Sequence, residues 1–286
     1  MKKIKIKSFC KINLCLKVIK KLSSGYHNIS SLITFCNLYD VITISKFKNL
    51  SDKVSFSGKF KDGIDENSNT AIKVLNLLRK NKFISKQSFK INIQKNIPHG
   101  SGLGGASSNA AALLNYFNKK INYKISKKKL IKLAEQIGFD VPISLEKKNA
   151  FLTGRKGKII RLNEGFRFNI LIVYPNLICS TKKIYRKNRE KSSIIDDLFF
   201  QKKGNQLIDS LIKRNNDLEK TVVKIYPKIG KIINYIKSQK GCFFSRITGS
   251  GSACIGIFSN IRDANYAQKM IKLKYPKYWS VVSKTI

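Results

Sequence analysis

Residues 98–108 read Pro98-His99-Gly100-Ser101-Gly102-Leu103-Gly104-Gly105-Ala106-Ser107-Ser108, and this stretch decides how the chain is read. Its four glycines let the backbone turn N–H groups inward with no side chain in the way. Phe89, Ile91 and Ile93 alternate upstream as the strand that feeds the loop. Ala110, Leu113, Leu114 and Phe117 put a helix immediately after it. The start of such a helix carries about half a positive charge, aimed at the same hollow. Strand, glycine loop and helix start together form a cradle for phosphate.

Several phosphate-binding loops share that outline, and the flanking residues discriminate among them. Gly100, Gly102 and Gly105 match the Gly-x-Gly-x-x-Gly dinucleotide fingerprint, which also wants an acid about 20 positions further on. That region reads Asn122-Tyr123-Lys124-Ile125-Ser126-Lys127, with no acid. A P-loop needs Gly-Lys-Ser/Thr after its glycines, and no lysine occurs between Pro98 and Lys119. The lysine and aspartate motifs of protein kinases are missing. A tight strand-to-helix turn without a ligand has no need of so many glycines and hydroxyls.

Working outward, Ile12, Leu14, Leu16 and Val18 alternate with Lys11, Asn13, Cys15 and Lys17, as in a strand with one apolar face. Ala71, Val74, Leu75 and Leu78 mark a helix. Ser126 caps another, with Leu130, Leu133, Ala134 and Ile137 turned inward and Gly138 just past its end. A second region begins near residues 163–168, with a strand at 169–174 that stops at Pro175. A polar, lysine-rich stretch covers 181–193. Ile229, Ile232, Ile233 and Ile236 have helical spacing ahead of Gly241, and residues 246–258 read as strand, glycine turn, strand. A last helix (Ala264, Ala267, Ile271) and a strand near Trp279 follow.

With 286 residues the chain has room for two domains that each bury a core. The formal charge of +41 raises a nucleic-acid role, but the lysines are scattered: Lys20-Lys21, Lys127-Lys128-Lys129, Lys147-Lys148, Lys202-Lys203. No basic block interleaved with aromatics offers a stacking platform. The field instead favours encounter with small anionic substrates. Cysteines 10, 15, 36, 179, 242 and 254 form no Cys-x-x-Cys pair and no zinc spacing, so free, mostly buried thiols and no metal site are expected. No apolar run approaches the roughly 20 residues of a membrane span. Lys5, Lys7, Lys11 and Lys17 interrupt what would be a signal-peptide core after Met1-Lys2-Lys3, so a cytoplasmic enzyme is expected.

The glycine stretch resembles the ATP-binding motif of the GHMP kinases, the small-molecule kinases named for galactose, homoserine, mevalonate and phosphomevalonate. Phe9-Cys10-Lys11-Ile12-Asn13-Leu14 resembles their first motif and Thr248-Gly249-Ser250-Gly251-Ser252-Ala253 their third. Gly25-Tyr26-His27, Gly138-Phe139-Asp140-Val141-Pro142 and Asn216-Asp217-Leu218-Glu219 complete an ordered set. That set is most similar to the member that phosphorylates a cytidine-diphosphate-linked methylerythritol on the non-mevalonate route to isoprenoid precursors. The departures are Asn109, where an aspartate often follows the two serines, and Phe139 and Ile143-Ser144 around Asp140.

The resemblance implies an α+β, two-domain GHMP kinase fold. Residues 1–164 would form an ATP-binding domain like ribosomal protein S5 domain 2, and 165–286 a C-terminal GHMP domain, with the active site in the cleft between them. It implies ATP as co-substrate, with Mg2+ on the nucleotide. Residues Pro98 to Ser108 would wrap its phosphates, with Lys95 and Asn69 near the adenosine. Lys11 and Asp140 would be catalytic, and Asn13, Tyr26, His27, Thr181 and Tyr185 would hold the acceptor. Read without the family, Asp140 is a turn former before Pro142 and Lys11 a solvated strand lysine. The alternative is a homoserine- or mevalonate-type GHMP kinase; Tyr26-His27 argues for an acceptor that carries a base. The expected partner is a small molecule, with no specific nucleic acid or membrane, and the chain is expected as a monomer or weak homodimer.

Overall fold

The computed structural model describes residues 2–23, 27–84, 87–121, 123–153, 158–162, 167–195 and 204–286. Contacts divide the chain into two compact units that interleave along the sequence. One comprises Met1–Lys11, Leu38–His99 and Gly104–Lys147; the other comprises Ile12–Asn37, Gly100–Leu103 and Lys148–Ile286. The expected boundary at 164/165 lies outside the described residues. Two long strands, β1 (Ile4–Lys21) and β2 (His27–Phe47), pair with each other and run through both units.

In the first unit the later half of β2 pairs antiparallel with β4 (Ser88–Gln94), from Val41 opposite Gln94 to Phe47 opposite Ser88. Strand β3 (Lys53–Ser57) lies parallel to β4. Parallel neighbours need a crossover, supplied here by α1 (Thr70–Lys80). Helix α2 (Gly105–Lys120) follows the glycine loop, and α3 (Lys127–Ile137) and the one-turn α4 (Val141–Ser144) come next. The core joins Ile42, Ile44, Ile91 and Ile93 of the sheet to Val74, Leu75 and Leu78 of α1, Leu113, Leu114 and Phe117 of α2, and Leu133 of α3. These are the apolar stripes that the helical spacing marks out.

In the second unit an antiparallel sheet has the order β10-β7-β9-β8. Its strands are β7 (Asn169–Tyr174), β8 (Cys242–Ile247), β9 (Cys254–Phe258) and β10 (Trp279–Lys284). Helices α8 (Pro227–Lys237) and α9 (Ile261–Lys274) pack against it. Ile229, Ile232, Ile233 and Ile236 of α8 are buried, as are Ala264, Ala267 and Ile271 of α9. The earlier half of β2 pairs with β5 (Ala150–Thr153), which continues to β6 (Lys158–Arg161). Helices α5 (Thr181–Lys187), α6 (Gly204–Ile212) and α7 (Glu219–Ile225) occupy the intervening chain. Five of the six cysteines are buried and all are free thiols.

Where β4 ends and the glycine loop approaches, a buried ion pair sets the course of the chain. The Lys95 ammonium binds one oxygen of Asp40, and both side chains are buried. The other Asp40 oxygen accepts the N–H groups of Asn96 (2.7 Å) and Ile97 (2.9 Å). Removing one partner strands a buried charge, whereas replacing both by apolar groups does not. Asp40→Ala is therefore expected to lower unfolding free energy by about 3–5 kcal/mol. The double change Asp40→Leu with Lys95→Met should recover only part of that loss, because the Asn96 and Ile97 N–H groups still lose their acceptor. Urea denaturation of the three proteins checks this, and an Asp40→Ala protein as stable as wild type would contradict it.

Candidate active site

The glycine loop divides its residues between the two units, and each part is held by different neighbours. In the first unit, Gly104 precedes α2 in the left-handed conformation (φ +68°) and offers no side chain to cap it. The first helical bond runs from the Ser108 N–H to the Gly104 carbonyl, 2.9 Å. The amides of Gly105, Ala106 and Ser107 thus stand at the positive end of a 16-residue helix with no side-chain cap. Two lysines reach this helix start. A Cβ on Gly104 would come within 2.5 Å of Lys11 Cγ, and one on Gly105 within 3.3 Å of Lys95 Nζ. Glycine at these positions is what lets the ammonium-bearing chains lie against the loop.

Lys11 Nζ sits 3.1 Å from Asp140 Oδ2, with side chains 5% and 32% exposed. The lysine is therefore enclosed while the carboxylate keeps an open edge. Asp140 occupies the N-cap position of α4, yet its side chain makes no capping bond. Its position comes instead through the backbone. Ser144 Oγ donates to the Asp140 carbonyl (3.0 Å), and Ser108 Oγ to Ser144 Oγ (3.4 Å). The second motif serine therefore joins the start of α2 to the aspartate turn. At the departure from the family pattern, the Asn109 carboxamide oxygen is buried without a hydrogen-bond partner.

In the second unit, residues 100–103 pack onto the turn between β8 and β9. The Ala253 N–H donates to the Ser101 carbonyl (2.9 Å), and the Cys179 N–H to the Gly100 carbonyl (3.3 Å). Gly102 has φ +84°, and a Cβ there would run into the Thr248 carbonyl oxygen. Asn13 donates its backbone N–H to Thr248 Oγ1 (2.9 Å) and its side-chain amide to Ser31 Oγ (2.8 Å). Thr181 Oγ1 lies 2.8 Å from Ser250 Oγ, and the rings of His27 and Tyr185 pair at 5.0 Å. Partial burial and the Lys21 charge hold the His27 imidazole below its ordinary pKa of 6.5.

Two family models match the chain: the GHMP kinases N terminal domain over residues 69–148 and the GHMP kinases C terminal domain over residues 198–277. The 4-diphosphocytidyl-2-C-methyl-D-erythritol kinase of Pelagibacter ubique is 36% identical, with both chains covered in full. Its counterpart in Caldicellulosiruptor bescii is 32% identical over 94% of each chain. The chain belongs to the GHMP kinase family. A crystal structure of 4-(cytidine 5'-diphospho)-2C-methyl-D-erythritol kinase shares the fold, with TM-score 0.78, 22% identity and 98% and 99% of the two chains covered. So does homoserine kinase from Cytophaga hutchinsonii, with TM-score 0.73, 17% identity and coverage of 100% and 95%.

Against the GHMP pattern, the structure brings Lys11 to Asp140, and His27 to Tyr185. The reading of Lys11 as a solvated strand residue does not hold, since β1 is buried on both faces from Cys10 to Leu16. Asn69 spends its carboxamide locally. It caps α1 by accepting from the Ala71 and Ile72 N–H groups, and it donates to the carbonyls of Asp65 and Glu66. His99 Nε2 bonds the Asp62 carbonyl (2.9 Å). Tyr26 lies outside the described residues. Asp40 and Ser31 carry no role in the sequence reading, and Ser144 enters it only as a departure beside Asp140. Asp40 carries a visible signal, an acid inside an otherwise apolar strand in a chain with 16 acids and 57 bases. Among the described residues no group of three or more His, Cys, Asp or Glu side chains is placed to hold a metal ion.

Gly104→Ala is expected to keep the fold while forcing the Lys11 stem aside. A displacement of that size should lower phosphoryl transfer by roughly 10²-fold. ADP release measured beside circular dichroism decides it; undiminished turnover would show that Lys11 needs no close approach at this glycine.

Proposed function

We propose that the chain is an ATP-dependent kinase that phosphorylates the 2-hydroxyl of 4-diphosphocytidyl-2-C-methyl-D-erythritol, on the non-mevalonate route to isoprenoid precursors. The observation that carries this reading is the Lys11–Asp140 pair, 3.1 Å apart, with the Lys11 stem against the glycine at the start of α2. Phosphoryl transfer asks a protein chiefly for positioning and charge neutralisation. The α2 amides would hold the terminal phosphates, supported by Lys95 beside Gly105. Asp140 would accept or orient the proton of the acceptor hydroxyl as its oxygen bonds to the γ-phosphorus and the bond to ADP breaks. That proton has an exit, because the carboxylate edge is exposed. Lys11 would offset negative charge building on the oxygen.

Mg2+ would arrive with the nucleotide. The uncapped helix start and its flanking lysines fit a nucleotide triphosphate, so the protein's part is to bind and orient it. The His27–Tyr185 ring pair, with Tyr26, would receive the cytosine, while Asn13 and Thr181 would bond the rest of the acceptor. Full-length relatives with this named activity favour it over a homoserine or mevalonate acceptor. We read the enzyme as cytoplasmic and as a monomer or weak homodimer. Among the described residues no helix is long and apolar enough to cross a membrane.

Lys11→Ala and Asp140→Asn should each fold and lose on the order of 10²–10⁴ in turnover. Acceptor panels with labelled ATP read both the loss and the substrate; near-normal turnover in either variant removes that residue from the mechanism. A second expectation concerns pH. Neutral imidazole offers one donor and one acceptor nitrogen, and protonation converts the acceptor to a second donor. Because the His27 pKa is lowered, the neutral form persists on acidification to below pH 6.5. The KM for the cytidyl acceptor should rise only below that point, and His27→Asn should abolish the acidic limb. An unchanged acidic limb in that variant would take His27 out of cytosine recognition.

A further inference from the structure

The segment Asn216-Asp217-Leu218-Glu219 belongs to the ordered motif set, yet it carries no group assigned to either ligand. It is nonetheless polar and buried, with Asn216 only 1% exposed. All its partners lie in the second unit. The Asn216 side-chain amide donates to the carbonyls of Gly249 (2.8 Å) and Ile247 (3.2 Å), while its Oδ1 accepts the Leu218 N–H (3.0 Å). Three residues on, Glu219 Oε2 accepts the Ile247 N–H (2.9 Å). The same segment is tied to β1, through Leu16 N–H to the Asn215 carbonyl (3.2 Å) and Asp217 N–H to the Leu16 carbonyl (2.9 Å). Asp217 Oδ2 accepts the Val18 N–H (2.8 Å).

These bonds grip the backbone on either side of Thr248. That residue is where the turn meets the functional segments. Its hydroxyl takes the Asn13 N–H, two positions from Lys11 along β1, and its carbonyl faces Gly102 with no room for a Cβ. A Cβ on Gly249 would in turn lie 3.0 Å from the Gly102 carbonyl oxygen and 3.4 Å from Asn13 Oδ1. Strand, glycine loop and turn therefore meet at near-contact distances, where a small shift of one must move the others. The turn itself is glycine at positions 249 and 251, both with positive φ, and so has little stiffness of its own.

We propose that Asn216 is a positioning residue for phosphoryl transfer: its side-chain amide sets the 248–251 turn, and through Thr248 it sets the Asn13 backbone and the Gly102 part of the nucleotide loop. This rests on the kinase reading above and adds to it a residue that touches neither ligand. Buried carbonyls left without their donor would make the turn shift toward other partners.

The test compares full-length Asn216→Ala, Thr248→Val and their double variant with wild type. Ile229→Val, a core change on α8, is the stability control. ADP release with the cytidyl acceptor gives kcat and KM, thermal unfolding gives stability, and calorimetry with a non-hydrolysable ATP analogue gives nucleotide affinity. Asn216→Ala should lower kcat/KM for ATP by roughly 10- to 100-fold and weaken analogue binding. The double variant should be no worse than the poorer single one, because both act through one turn. Thr248→Ser should restore activity. Should Asn216→Ala not fold, Thr248→Val must still show the kinetic loss. The inference is overturned if the variants, like Ile229→Val, lower only the unfolding temperature and keep wild-type kcat/KM and affinity, or if the two losses multiply. A wild-type protein inactive on this acceptor but binding the analogue would sink the substrate assignment alone, since the binding comparison still decides the role of Asn216.

Discussion

The proposed chemistry depends on one steric permission: the absence of a side chain at Gly104, where the backbone turns left-handed into α2. A Cβ there would occupy the space of the Lys11 stem. Without it, a buried lysine lies against a helix start that no side chain caps, and the same lysine reaches the aspartate at the head of α4. The helix end needs negative charge, and the chain supplies none in its first turn. In the proposed function that unmet need would be filled by phosphate, and the ion pair beside it would offer a proton acceptor and a neutralising cation.

Buried charge elsewhere follows the same economy. The Lys95 ammonium is matched by Asp40, whose second oxygen is taken by two backbone amides. Arg246 is buried as well, giving its guanidinium to the carbonyls of Leu14 and Leu211 and lying over the Phe244 ring. Burial pulls its pKa down to about 10, which leaves it charged at neutral pH. A chain with a formal charge of +41 can afford such burial only where acceptors are built in. Most of the other described lysines and arginines are at least partly exposed, and a charge of that sign favours encounter with small anionic molecules.

The sequence was legible wherever structure follows local periodicity. The strand–glycine loop–helix unit appears as β4 and α2. The apolar stripes of α1, α3, α8 and α9 are buried at the expected positions. What escaped was set by partners distant in the chain. Lys11 and Asn13 occupy the polar register of β1, yet both are buried, because Asp140, Ser31 and Thr248 meet them. Asp40 and Lys95 are 55 positions apart and pair only once β2 and β4 align. Helix α5 lies in the lysine-rich stretch at 181–193 and buries only Ile184, too little for a stripe to show. The motifs named Lys11, Asp140, Ser144 and the segment Asn216–Glu219; the bonds that Ser144 and Asn216 make to distant parts of the chain left no local signal.

A crystal structure of the enzyme with a non-hydrolysable ATP analogue and 4-diphosphocytidyl-2-C-methyl-D-erythritol bears most directly on the central claim. The account predicts the terminal phosphate on the amides of Gly105 to Ser107, with the acceptor 2-hydroxyl within hydrogen-bonding reach of the Asp140 carboxylate and the Lys11 ammonium. An acceptor hydroxyl bound away from that pair, or a triphosphate that leaves the start of α2 bare, would contradict it.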